Sequence, residues 1–167
     1  DLFTLGENTF LEAYELVHGD NDRVSALSRM PLKAALLGHT DKVRELLPAQ
    51  MFLPAYDFCY TERSFSSNGE ILANRLTVRE GQGATGAQRL GNASAALYLA
   101  LVQSVPSSPA GPLTLRLFPS WPTEWDAEFC LLCRGGYVVS CAMTGGEIGP
   151  VTIEIRHGGS CRVRNPW

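Results

Sequence analysis

The chain is most informative first in what it is short of. Lys and Arg total 14 against 17 Asp and Glu, the formal net charge is -3, and the basic residues are scattered singly. Without clustered positive charge there is nothing to neutralise a run of phosphates, which excludes nucleic acid as a partner. Long apolar runs are missing too. The longest, Ala93 to Val102, is about half of the roughly 20 residues a bilayer crossing requires, so no membrane span is expected and the run reads as a buried helix. The start, Asp1-Leu2-Phe3-Thr4, has neither an initiator Met nor a basic targeting segment and reads as cut from something longer.

Metal-binding and disulfide patterns are equally sparse. The cysteines are odd in number, Cys59, Cys130, Cys133, Cys141 and Cys161, which fits neither a disulfide framework nor a zinc ribbon. Cys130 and Cys133 have CxxC spacing, but in a strand positions three apart point to opposite faces and cannot share a metal. The thiols are expected to be buried and structural. His18, His39 and His157 lie far apart with no ligand spacing, so no metal site and no cofactor are expected, and each His is assigned to a helix end or turn.

What is present changes character once. Up to about Ser104 the apolar spacing is helical. Thr4-Leu5-Gly6-Glu7 has the form of a capping box, followed on one face by Phe10, Leu11, Tyr14 and Val17. Pro31 opens a second helix with a stripe of Leu32, Ala35 and Leu36, ended by Gly38. Thr40 caps a third that turns Val43, Leu46, Leu47 and Met51 inward, with Pro48 expected to kink or shorten it. The segment from Pro54 to Leu90 is polar and aperiodic, and loops of that length are often functional. Asn92 is placed to cap a helix over Ala93 to Gln103 that is apolar on nearly every side.

Beyond Ser104 a Pro, Ser and Gly stretch reads as a linker, and the period then switches to two. Leu113 to Leu117 alternates cleanly, with further strands expected at Phe129–Cys133, Tyr137–Met143, Val151–Arg156 and Ser160–Val163. Double glycines at 135–136, 145–146 and 158–159 separate them, as tight hairpin turns require. The expected class is α+β: helices over 1–104, a linker over 105–112, and a small antiparallel β-sandwich over 113–167, with no helix after Leu113.

Two stretches then carry a resemblance. One is Asn74-Arg75-Leu76 with Gln88-Arg89-Leu90-Gly91-Asn92-Ala93-Ser94-Ala95-Ala96 and Leu101-Val102-Gln103-Ser104. The other is Leu115-Arg116-Leu117-Phe118-Pro119-Ser120-Trp121-Pro122, continuing through Cys133-Arg134-Gly135-Gly136-Tyr137-Val138-Val139 to Gly158-Gly159-Ser160-Cys161-Arg162-Val163. In order and separation these resemble the end of family ninety-five glycoside hydrolases, the α-L-fucosidase type, within the six-hairpin glycosidase superfamily. The resemblance implies the last helices of an (α/α)6 barrel followed by a β-domain, an inverting hydrolase of oligo- or polysaccharides, a carbohydrate as partner, and the remainder of the barrel upstream. It also implies that Gln88 to Asn92 lies in the loop entering the last barrel helix, facing the sugar. Family members carry Asp between the Gln and the Gly. Here that position is Leu90, which can neither accept a proton nor polarise an amide.

Glu80 is the carboxylate in the long loop nearest that motif. Inversion pairs two carboxyls about 6.5–9.5 Å apart, so Glu80 is the candidate catalytic base, the alternative being a solvated acid beside Arg79. Gln88, Arg89 and Asn92 are the candidate substrate-binding residues, with Asn92 alternatively spent on capping its helix. Asn92-Ala93-Ser94 matches a glycosylation sequon at a buried helix start where a glycan would not fit. Trp121 and Trp125 are expected to plug the seam between helices and strands, with sugar stacking as the alternative, and Arg134 to pair with Glu128 or Asp126. With only the last helices present, the chain alone is expected to be inactive and to associate through uncovered inner faces. Two other readings stay open: a non-catalytic carbohydrate-binding or structural remnant, and an interaction fragment whose helical face docks on another chain.

Overall fold

The computed structural model describes residues 1–18, 28–51, 85–106, 111–157 and 159–164, and among them the fold is α+β: four helices followed by seven short strands. Helix α1 covers Leu2–His18, α2 Met30–Leu37, α3 Thr40–Met51 and α4 Thr85–Leu101. The strands are β1 Val102–Pro106, β2 Leu113–Leu117, β3 Ala127–Cys133, β4 Tyr137–Thr144, β5 Glu147–Ile148, β6 Thr152–Ile155 and β7 Arg162–Arg164. No helix follows Leu113 among the described residues.

The N-cap of α1 is Asp1, not Thr4. The Asp1 carboxylate accepts from the Thr4 backbone N–H at 2.8 Å, satisfying one of the free donors of the first turn. Phe10 and Tyr14 are buried as the spacing requires, whereas Leu11 is partly exposed. In α2 the buried side is Met30, Pro31, Ala34 and Ala35, and Leu36 faces out. Gly38 ends the helix in the left-handed region at φ 86°, while the N–H groups of Gly38 and His39 both return to the Ala34 carbonyl at 3.0 Å. Turning two successive N–H groups onto one carbonyl needs a left-handed residue free of the Cβ penalty, which explains the glycine. Helix α3 continues through Pro48 and buries Val43, Leu46, Leu47 and, in place of Met51, Gln50. The Gln50 amide donates to the Ser28 carbonyl at 2.9 Å.

Helix α4 departs most from the sequence reading. It begins at Thr85 and ends at Leu101, so Asn92 lies within it and does not cap it. Gly86 and Gly91 each weaken a helix by about 1 kcal/mol relative to Ala, but packing of an amphipathic face overrides such local costs. At the other end the chain turns at once into β1, so Val102 to Ser104 is strand where helix was expected, and Val105-Pro106 extends that strand into the expected linker. The β-branched Val102 and Val105 suit a pleated ladder, and β1 pairs antiparallel with β2 in the register Val102 to Leu117 and Pro106 to Leu113.

The strands form two sheets. One has the order β1-β2-β7, with β2 and β7 parallel, so it is mixed and not purely antiparallel. In the other, β4 pairs β3 along its length and meets β6 and β5 at its two ends, all antiparallel. The turns at 135–136 and 145–146 have positive φ at all four glycines. Two cores result. The helical core is built on Phe10, Tyr14, Leu46, Leu47 and a stripe of alanines, and the β core on Leu115, Leu117, Phe118, Phe129, Tyr137, Val139 and Met143.

Candidate functional site

The two cores meet along the junction of α4 with β1 and the loop 118–126. Alternation along β1 divides its side chains between them. Ser104 looks to the β side and accepts from the Arg134 backbone N–H at 3.0 Å, while Gln103, 2% exposed, looks to the helices. The Gln103 amide donates to the Ala35 carbonyl at 2.8 Å and the Leu99 carbonyl at 3.1 Å, and the Ser120 hydroxyl donates to the same Ala35 carbonyl at 3.1 Å. Carbonyls in the last turn of a helix have no partner within it. Gln103 and Ser120 add side-chain donors to the 3.3 Å contact that the Gly38 N–H makes with this carbonyl and lock the β1 strand and the 118–126 loop onto α2.

The loop itself turns on Phe118, whose φ of 47° is unusual for a bulky residue; its N–H bonds the Leu101 carbonyl at 2.7 Å. Trp121 and Trp125 pack edge to face at 5.3 Å, the Trp121 indole N–H donates to the Trp125 carbonyl at 2.7 Å, and Trp121 touches both cores. The tryptophans therefore fill the seam, as expected from their size. Outside it Arg44 of α3 forms a forked pair with Glu124, whose carboxyl is held below its usual range chiefly by that hydrogen bond.

Tyr98, on α4, spans the seam from the helix side. Its hydroxyl donates to the Leu132 carbonyl at 2.8 Å and lies 3.8 Å from the Cys133 sulfur. Burial first, then the contact with Cys133, pushes its pKa up to about 12. Burial also raises the thiols of Cys133 and Cys141, so both stay protonated and unreactive near neutral pH. Cys130 is exposed where Cys133 is buried, the opposite-face arrangement that strand geometry demands, and Cys130 departs from the expectation that all the thiols are buried. Among the described residues no cluster of His, Cys, Asp and Glu could hold a metal ion, and no helix is long and apolar enough to cross a membrane.

Of the candidate site residues, Gln88, Arg89 and Asn92 all lie in the first half of α4, where a loop was expected. Gln88 and Asn92 are four residues apart along α4. Leu90 falls on the same stretch. Glu80, the candidate base, lies outside the described residues, as does Cys59. Arg134 is exposed and makes no ion pair with Glu128 or Asp126 among the described residues; Asp126 instead accepts from the Gly145 N–H at 2.8 Å. Sequence reasoning missed Gln103 as a seam residue because it was assigned to the helix. The available signal was the pair of β-branched residues Val102 and Val105 closing on Pro106.

No protein-family model matches the sequence, no curated protein is similar to it, and no solved structure matches the fold.

Proposed function

We propose that this chain is the C-terminal portion of a glycoside hydrolase of the six-hairpin type, fucosidase-like, acting on glycosidic bonds of oligo- or polysaccharides. One observation carries the reading: the stretches that resemble such enzymes supply the buried seam. Gln103 and Ser120 are the polar residues that tie sheet to helices, Pro122 is fully buried beside them, and Trp121 bridges the two cores. A motif spent on joining a helical layer to a β module is what the end of a barrel hydrolase requires. The outer side of α1 supports the same reading. Leu2 and Leu5 in the first turn, 87% and 63% exposed, and Leu16 near the far end, 87% exposed, lie on one side with the polar Thr9 and Glu12 between them, and further barrel helices would cover these leucines.

In this reading Gln88, Arg89 and Asn92 bind sugar and Glu80 is the base. In the full-length protein Glu80→Gln then lowers turnover of an aryl glycoside by about 10²–10⁴-fold with sugar binding retained, and Leu90→Asp adds little. A change below about twofold for Glu80→Gln removes it from the chemistry. A second reading, a non-catalytic carbohydrate-binding or structural module, is favoured by Leu90 and by the helical course of the Gln88–Asn92 segment. Inactivity of the full-length protein on every sugar, with and without Leu90→Asp, decides for it.

A further inference from the structure

The face of the β1-β2-β7 sheet that carries Gln103 also carries Arg116 and Arg164. Gln103 and Arg116 are register partners across β1 and β2, and Arg116 and Arg164 are register partners across the parallel pair β2 and β7. Neighbouring strands in register put such side chains on one face, so the two guanidinium groups rise from adjacent positions. A cleft of about 520 Å3 opens over them, walled by Phe3, Leu37, Gly38 and Phe118.

The charge arrangement is unbalanced. Like charges on directly neighbouring strand positions repel. Among the described residues neither arginine makes an ion pair and no acidic side chain lines the cleft. The Nε of Arg116 is buried without a hydrogen-bond partner. Buried donors are nearly always satisfied, so the side chain of Arg116, which lines the cleft, has a donor left unspent by the protein. Guanidinium groups present planar, forked donors that match the paired oxygens of carboxylate, sulfate or phosphate. Phe118, held at positive φ, adds a strained residue at the edge of the same cleft, where such strain tends to collect at ligand sites.

We propose that this cleft binds the oxyanion of a small ligand between Arg116 and Arg164, with Phe3, Leu37 and Phe118 against the ligand's carbon portion. The site is separate from the candidate sugar site: the helical rise of about 1.5 Å per residue puts Leu101 roughly 20 Å along α4 from Gln88. It stands whether or not the protein is a hydrolase.

The test is calorimetric titration of the full-length protein with sodium sulfate, sodium glucuronate and neutral glucose, at ionic strength held constant with chloride. Saturable binding of at least one anion, and none of glucose, is expected. Binding of sulfate assigns the site to inorganic or ester oxyanions, and binding of glucuronate alone assigns it to carboxylates on a carbon frame. Arg116→Gln and Arg164→Gln should each weaken the anion by about 10-fold or more, the usual worth of a charge-assisted hydrogen bond. Arg164 lies exposed on an edge strand, so Arg164→Gln carries the test if Arg116→Gln fails to fold. Absence of saturable binding by both anions overturns the proposal, and so does binding that survives the substitutions unchanged.

Discussion

The contact between α2 and α4 and the interior of the β module are filled by opposite means. Where α2 and α4 pack, the buried positions are alanines, Ala34 and Ala35 on one side and Ala93, Ala96 and Ala100 on the other, so the backbones approach closely and little side-chain volume is enclosed. The β module fills its interior with large groups, Phe118 and Phe129 edge to face at 5.3 Å, with Tyr137 and Met143. The helices meanwhile leave leucines on the outside of α1. The β module also holds apolar side chains outward, Leu132, Ile155 and Val163, so each part presents apolar groups that a further layer would cover.

The sharpest way to break this contrast is to change volume in opposite directions. Phe129→Ala empties the centre of the β core and should cost about 3–5 kcal/mol, read from the denaturant midpoint at constant slope. Ala96→Leu should cost about 1–3 kcal/mol through overpacking between α4 and α2. If Ala96→Leu is neutral, the α2–α4 contact is not closely packed and the contrast fails.

A third measurement reads the seam. Tyr98 has a raised pKa, about 12 in the folded protein against about 10 unfolded, because burial disfavours the phenolate. Below pH 10 the hydroxyl is protonated in both states and its contribution is fully present; between about 10 and 12 the unfolded chain releases the proton first, so stability falls as pH rises. The melting temperature should therefore drop across that window, and the drop should be shallower in Tyr98→Phe. An equal drop in both proteins would mean that burial of Tyr98 does not hold its proton in the folded state.

The smallest effect concerns the outer side of α1. In the 167-residue chain Leu16→Ala should stay within about ±0.5 kcal/mol, as for other exposed positions. In a longer barrel that covers this side, the same change should cost about 2–5 kcal/mol, the value for a buried leucine. Comparing the two by thermal melting sharpens the reading of α1 as a face made for neighbours.

Periodicity located the elements with accuracy where one face dominates. Val43, Leu46 and Leu47 at helical spacing and the alternation of Tyr137 to Met143 leave little choice, and the glycine pairs mark turns because positive φ is cheap only there. The candidate sugar residues Gln88, Arg89 and Asn92 were legible as a motif, but their helical setting was not, since Gly86 and Gly91 argue locally for a break that packing overrules. By itself the sequence settled the α+β order and the absence of clustered positive charge along the chain, because these depend on neighbours along the chain. Tertiary structure alone decided that α4 hands over to a strand at Val102, that Gln103 and Ser120 share the Ala35 carbonyl, and that Arg164 comes to lie beside Arg116. Each of those depends on groups dozens of residues apart, whose meeting is fixed by hydrogen-bond satisfaction and shape and not by any local pattern.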